Sequence, residues 1–227
     1  MDRHDHLVLQ HLEQFVSDHK KEFVARVLEQ RTRQVTVVLE DIYQSQNASA
    51  VIRTCECMGL QDVHIVENTA KYHFNIRVLK GANKWIDLIR YREKHENNTE
   101  TCFSRLRKNG YKILVADPAP DGISIHDVDC SSEKLALVFG NELRGVSAYA
   151  LEKGDQKVRV PMYGFTESLN ISVSVAISLN SLMLKLRQQG AFRGLSQEEQ
   201  EVIKLNWYRK IVKRSEILER EYLRTID

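Results

Sequence analysis

Residues 35–66 read VTVVLEDIYQSQNASAVIRTCECMGLQDVHIV, and this stretch decides the fold. It opens with Val35, Thr36, Val37, Val38 and Leu39, a run β-branched and apolar enough to be a buried strand, ending near Glu40. From Asn47 to Met58 the pattern is helical, with Ser45 or Asn47 placed to cap the first turn and Gly59 to stop the last. Residues 63–66 form a second apolar strand. Strand, helix and strand in succession make a β-α-β unit, and a helical crossover of this kind joins parallel neighbours in one sheet.

Working outward, the same alternation continues. Residues 4–33 place Leu12, Phe15 and Val16, then Phe23, Val24, Val27 and Leu28 at helical spacings, which predicts one or two amphipathic helices. Residues 81–91 read as irregular around Gly81 and Trp85; residues 99–108 read as a helix stopped by Gly110, and 111–116 as a strand. A strand over 135–139 runs into GNELRG, a short helix covers 147–152, and a strand over 157–160 runs into Pro161. A long helix follows over 168–188. Gly190 and Gly194 break it, and Ser196 with Glu199 forms a capping-box pattern opening one or two more helices, with Val202, Leu205, Ile211, Ile217 and Leu218 as their apolar stripe. The expected architecture is α/β, a mostly parallel sheet with helices on both faces, spanning 35–190 between helical extensions at 1–34 and 191–227. In such a sheet the ligand belongs at the carboxyl ends of the strands.

Composition excludes several classes. The 227 residues are 42% apolar and 28% charged, with ten glycines and three prolines, which is the profile of a globular chain able to bury its own core. Thirty-three Lys and Arg against 31 Asp and Glu neither demand nor forbid a nucleic-acid partner, since a local basic face can coexist with a neutral total. Cys55, Cys57, Cys102 and Cys130 contain no CxxC pair and read as reduced, buried or partly buried thiols, with no metal expected. The N-terminus MDRHDHLVLQHLEQF lacks the pattern of a signal peptide, and the richest apolar stretch, 169–186, is interrupted by Asn170, Asn180 and Lys185. The expectation is a cytoplasmic protein without a membrane span, in which the sequons at Asn47, Asn97 and Asn170 carry no glycan.

Familiar catalytic signatures fail on spacing. No glycines meet the G-x-G-x-x-G requirement, and although Gly140 and Gly145 stand at P-loop spacing, Val146 occupies the place of the phosphate-binding lysine. There is no HExxH, G-x-S-x-G or zinc-spaced set, and His4, His6, His11 and His19 read as surface residues of the N-terminal helices. What remains is polar residues at three sheet ends: Asn47 and Arg53, GNELRG at 140–145, and Ser168-Leu169-Asn170. Taken singly each also has an architectural reading, as a helix cap, a turn or a solvated helix residue.

Taken together, NASAVIRTCECMG at 47–59, FGNELRGVS at 139–147 and VPMYGFTESLNISVSVA at 160–176 resemble, in order and spacing, the three motifs of the SpoU or TrmH branch of the SPOUT RNA 2'-O-ribose methyltransferases. GANKW at 81–85 is similar to a further segment of that family. The resemblance implies S-adenosylmethionine-dependent methylation of a ribose 2'-hydroxyl, a parallel sheet whose C-terminal part threads a deep trefoil knot, and a homodimer with its active site at the subunit interface. Short helical extensions at both ends are similar to the tRNA-modifying members, which methylate the guanosine at position 18 in the D-loop. By position, backbone groups at Ala116, Phe139, Gly140, Val160, Met162 and Leu169 would cradle the cofactor. Asn47, Arg53, Glu142, Ser168 and Asn170 match catalytic and substrate-positioning residues, with Arg53 of one subunit facing the cofactor of the other.

The family proposal makes this arginine help to deprotonate the 2'-hydroxyl, yet lowering a guanidinium pKa from about 13 to about 8 requires roughly 7 kcal/mol. A neighbouring phosphate opposes that shift, so a charged Arg53 gripping the phosphate and stabilising the developing oxyanion is the better reading. Candidate contacts to the tRNA backbone are Lys20, Lys21, Arg26, Arg31, Arg33, Lys185, Arg187, Lys204, Lys210 and Lys213, while Leu184 and Leu186 stand where basic residues are expected in such relatives. The competing readings are methylation of ribosomal RNA or another tRNA position, a non-catalytic RNA-binding module, and a generic nucleotide-binding α/β protein.

Overall fold

The computed structural model describes residues 1–226. In chain order its elements are α1 (Arg3–Glu13), α2 (Asp18–Glu29), β1 (Val35–Glu40), α3 (Ser45–Cys57), β2 (Asp62–Val66), α4 (Ile76–Leu79), β3 (Asp87–Tyr91), α5 (Asn98–Lys108), β4 (Tyr111–Ala116), β5 (Ile123–Ser124), β6 (Lys134–Phe139), α6 (Ala148–Lys153), β7 (Gln156–Arg159), α7 (Ile171–Gln188), α8 (Gln197–Ile211) and α9 (Ser215–Ile226). They fall into two compact units, Thr32–Arg193 and a helical unit made of Met1–Arg31 with the chain from Gly194 onward.

The larger unit is a seven-stranded sheet in the order β3-β2-β1-β6-β4-β7-β5, with every ladder parallel. All six residues of β1 are buried, because the strand pairs with β2 on one side and β6 on the other and is covered on both faces. Val35, Val37 and Leu39 enter one core with Val51, Ile52, Val175 and Leu179, and Val38 enters the opposite core with Phe103, Leu106 and Ile113. Period-two alternation thus feeds two apolar layers from one strand, which is why no polar side is legible in its sequence. Each such fully buried aliphatic side chain contributes about 1.5–3 kcal/mol. The chain runs β1 to β2 to β3 toward one edge, then crosses to build β4, β6 and β7 on the other. The reversal places the carboxyl ends of β1, β6, β4 and β7 around one crevice.

Several expectations are corrected. Residues 87–91 are not irregular: they form β3, an edge strand paired only with β2, and its charged Asp87 and Arg90 on partly exposed backbone hide the strand pattern. Neither Ser45 nor Asn47 caps α3; Gln44 holds the cap position without a side-chain bond to the helix N–H groups, its Oε1 accepting Asn47 Nδ2–H instead, and Asn47 is inside the helix. The long helix starts at Ile171 rather than 168, capped by the Asn170 side chain on Ser172 N–H. Ser147 caps α6 from outside it, the last strand ends at Arg159, and the short α4 and β5 have no counterpart in the sequence reading. Cys57 is exposed, whereas Cys55, Cys102 and Cys130 are buried; all four are free.

The helical unit joins both ends of the chain. Asp2 caps α1 through Asp5 N–H, and Ser196 with Glu199 completes the capping box of α8. Lys204 meets Glu13 at 2.7 Å, and Arg209 meets Glu219 at 2.6 Å and Asp5 at 3.4 Å, so ion pairs tie α8 to α1 and α9. The core here uses Val8, Leu9 and Leu12 with Ile203, Leu205, Trp207 and Tyr208. Val202 and Ile217, placed on the apolar stripe by the sequence reading, are 40% and 41% exposed.

Candidate active site

The crevice at the carboxyl ends holds a cavity of about 510 Å³. Its walls begin at the turn after β6. Asn141 and Gly145 exchange both backbone hydrogen bonds at 2.8 Å, and Asn141 Oδ1 accepts the N–H groups of Leu143 and Arg144. A Cβ on Gly140 would lie 2.3 Å from the Gly145 backbone, and Gly145 has φ +70°, so both glycines are demanded by the turn itself. The G-x-x-x-x-G spacing is therefore turn architecture, and its product is the placement of Glu142.

Glu142 reaches the first turn of α3, where its carboxylate accepts Tyr43 N–H at 3.0 Å, Gln44 N–H at 3.2 Å and Asn47 Nδ2–H at 2.9 Å. A negative charge near a helix N-terminus is favourable, and here it is held by the backbone just ahead of α3 and by the Asn47 side chain within it. Asn47 is itself buried, and its Oδ1 accepts Asn170 Nδ2–H at 3.2 Å. Asn170 Oδ1 then accepts both N–H and Oγ–H of Ser172 at the start of α7. One continuous chain of side-chain hydrogen bonds, Glu142 to Asn47 to Asn170, thus joins the three sequence motifs and fixes the N-termini of α3 and α7 against each other.

These three residues and Ser168 line the cavity, as do Ala116, Phe139, Gly140, Val160, Met162 and Leu169. Leu169 is 39% exposed, so it is wall rather than core. Arg53 is elsewhere: exposed on α3 and absent from the cavity of its own chain. At 100° per residue it stands roughly 240° around the helix from Asn47, so the two cannot share a face. Sequence reasoning missed Gln44, Asp117, Pro118, Ser174 and Ser178, which also line the cavity. Asp117 and Pro118 follow directly on β4, where the carboxyl-end rule would have found them. Ser174 and Ser178 repeat at i, i+4, which puts both hydroxyls on one side of α7.

The basic candidates divide. Arg31 does not present a surface charge: it is 1% exposed, with its guanidinium 5.3 Å above the Trp207 ring. Arg33 is engaged by Asp62 at 3.0 Å and Asp87 at 3.1 Å, Lys204 by Glu13, and Lys185 donates to Val128 O at 2.7 Å. Lys21 pairs with Asp18 at 3.1 Å. Lys20, Arg26, Arg187, Lys210 and Lys213 are exposed, Arg26 lying over Phe23 and Arg187 over Phe192.

Comparison with known proteins places this geometry. Residues 34–180 match the model of the SpoU rRNA Methylase family. The chain is 41% identical over 208 residues to the tRNA (guanosine(18)-2'-O)-methyltransferase of Borreliella burgdorferi, covering 92% of this chain and 93% of that one. It is 28% identical to the protein of the same name from Aquifex aeolicus, covering 89% and 95%. The crystal structure of the A. aeolicus TrmH/SpoU tRNA modifying enzyme superposes with a TM-score of 0.76 at 26% identity, over 87% of this chain and 98% of that chain.

Proposed function

Because the chain belongs to the SpoU rRNA methylase family, we propose that it transfers a methyl group from S-adenosylmethionine to the ribose 2'-hydroxyl of guanosine 18 in the D-loop of tRNA. The observation that carries this reading is the hydrogen-bonded Glu142–Asn47–Asn170 chain along one wall of the cavity. The high identity and near-complete coverage of a guanosine-18 enzyme support the choice of tRNA.

The cavity suits the cofactor on its own terms. Its lining includes the apolar Ile125, Phe139 and Val158, with Ala116 at the end of β4 and backbone outside helices and strands at Gly140, Val160, Met162 and Leu169. Such backbone offers N–H and C=O groups to a purine and a ribose while side chains supply apolar walls. When bound, S-adenosylmethionine supplies an electrophilic methyl group on a sulfonium. The protein's own contribution is mainly positioning: Ser168 and Asn170 orient the target ribose, and the rigid link from Asn170 to Glu142 keeps them from drifting. Arg53 stays charged, binds the adjoining phosphate and stabilises the oxyanion that develops as the 2'-hydroxyl proton leaves to water.

Since Arg53 lies outside the cavity of its own chain, the reading requires a homodimer in which it completes the site of the partner. A groove along α7, in which the apolar Met58, Ala176, Ile177 and Leu184 alternate with His126, Asn180, Ser181, Lys185 and Gln188 and Leu184 is 51% exposed, supports that pairing. The same reading includes the trefoil knot in the chain leading to α7. No described helix is long and apolar enough to cross a membrane, and the proposal places the enzyme with its tRNA in the cytoplasm.

The test is methylation of an unmodified tRNA transcript with S-adenosylmethionine, followed by nuclease digestion and mass mapping, with Arg53→Ala in parallel. The expected result is 2'-O-methylguanosine at position 18 from the parent protein, and loss of turnover in the variant with cofactor binding retained. Methylation of ribosomal RNA alone would transfer the assignment to that substrate, and absence of cofactor binding by the folded dimer would remove the enzymatic reading.

A further inference from the structure

We propose that the crossover between β2 and β3 is a second RNA-binding surface, one that grips the sugar-phosphate backbone of the substrate beside the methylated nucleotide. This rests on the reading that the substrate is RNA. Residues 68–86, NTAKYHFNIRVLKGANKWI, contain Lys71, Arg77, Lys80 and Lys84 and no acidic residue, in a chain where 31 of 227 residues are acidic. Lys71, His73, Arg77 and Lys80 are all exposed. Lys71, Arg77 and Lys80 form no ion pair among the described residues. A surface whose exposed cations make no ion pair is complementary to phosphate, and its affinity derives from releasing the counterions of the nucleic acid.

What separates this segment from a merely solvated charge run is how it is held. Asp41 Oδ1 accepts the N–H groups of Asn68, Thr69 and Ala70 at 2.7, 2.8 and 3.1 Å. Glu67 accepts Tyr72 N–H at 2.7 Å, and Ser49 Oγ accepts Asn75 N–H at 3.1 Å. Tyr72, Leu79, Ala82 and Ile86 are buried beneath it. The backbone is pinned on the inside, while the charges, together with Phe74 at 45% and Ile76 at 80% exposure, face out. Phe74 also packs against Tyr72 with the two rings T-shaped, 5.0 Å between ring centres, which restrains an exposed aromatic side chain of the kind that stacks on bases. α4 packs against α3, the helix that carries Arg53, and Asp41 also accepts Asn141 Nδ2–H at 2.8 Å through its carbonyl. The surface is therefore tied both to the arginine-bearing helix and to the turn that places Glu142.

The test compares the parent protein with a Lys71→Gln, Arg77→Gln, Lys80→Asn triple variant, asparagine being chosen because Lys80 has φ 49°. Binding of an unmodified tRNA transcript is measured by filter retention across a salt series, with cofactor binding by calorimetry and subunit mass by sedimentation. The expected result is at least a tenfold loss of affinity and a slope of log K against log salt shallower by about two to three, one for each lost phosphate contact. Cofactor affinity and subunit mass stay unchanged. Unchanged affinity and slope in a variant that still binds cofactor overturns this surface and leaves the enzymatic reading standing. A variant that loses its dimer without a change in slope overturns it too, assigning the segment to the subunit contact. A parent protein that binds no tRNA removes the RNA reading and this surface with it. Phe74→Ala alone is expected to weaken binding without altering the slope, which separates stacking from charge.

Discussion

Glu40 carries more of the site's geometry than its position at a strand end suggests. It is 2% exposed; its Oε1 accepts Thr99 Oγ–H at 2.5 Å and Ser147 Oγ–H at 2.8 Å, and its Oε2 accepts Ser147 N–H at 2.7 Å. One carboxylate thereby joins β1, the start of α5 and the cap of α6, and so fixes the far end of the turn that presents Glu142. Replacing it with glutamine leaves one acceptor oxygen where there were two, so whichever way the amide faces, either the Ser147 N–H or the hydroxyl protons of Thr99 and Ser147 lose a buried acceptor. Glu40→Gln is expected to cost about 2–3 kcal/mol in denaturant unfolding and to lower kcat while cofactor is saturating, with Glu40→Asp recovering part of both. An unchanged kcat in the folded variant would show that the turn keeps its shape without this anchor. Glu40 was not legible as a functional residue, because a lone acid after a β-branched run has no signature. Asn47, Glu142, Ser168 and Asn170 stood out because three motifs carried them. That Glu142 binds the first turn of α3 was not legible, since nothing local relates residue 142 to residue 43.

Among elements, those with a strong apolar period were read well and those that borrow stability from neighbours were not. β1, β4 and β6 announce themselves through branched, buried runs. β3 does not, because its register with β2 is held partly by Arg33 bridging Asp62 and Asp87 and by the Arg90–Glu67 pair at 2.8 Å, charges that read as loop. The β2, β3 and α5 layer also has a built-in acid sensitivity. His64 of β2 is 4% exposed and shares a 2.9 Å hydrogen bond with Tyr91 of β3. Burial, helped by the positive Arg105, pushes the imidazole from its ordinary 6.5 down to about 4. Between those values the unfolded chain binds a proton that the folded chain refuses, so the stabilisation is complete above about pH 6.5 and is lost as the pH falls toward 4. At 1.36 kcal/mol per unit the group accounts for about 3 kcal/mol. His64→Gln keeps a partner for the Tyr91 hydroxyl and does not titrate; its unfolding free energy is expected to fall less steeply than the parent's between pH 6.5 and 4. Parallel pH curves would assign the acid limb to other groups.

At the scale of the molecule, the alternation of strands and helices revealed the parallel sheet, and the carboxyl-end rule revealed where the cavity lies. The joining of the two chain ends into one helical unit was not visible, because each terminal segment shows only its own amphipathic stripe and no stripe names its partner. The contacts that unite them are specific: Lys204 with Glu13, Arg209 with Asp5, and Leu12 and Tyr208, each with no exposed surface, in the shared core. A consequence is that stability should divide along the same line. Leu12→Ala removes a fully buried side chain and is expected to cost about 2–5 kcal/mol, with the loss falling on the helical unit alone. Amide hydrogen exchange followed by mass spectrometry checks this. The amides of α1, α8 and α9 should exchange faster in the variant, whereas those of β1, β4 and β6 keep the parent's protection, because their hydrogen bonds belong to a separately packed core. Exchange that accelerates equally in both units would mean that helices and sheet unfold as one cooperative body. In that case the terminal extensions would contribute to the stability of the cavity as well.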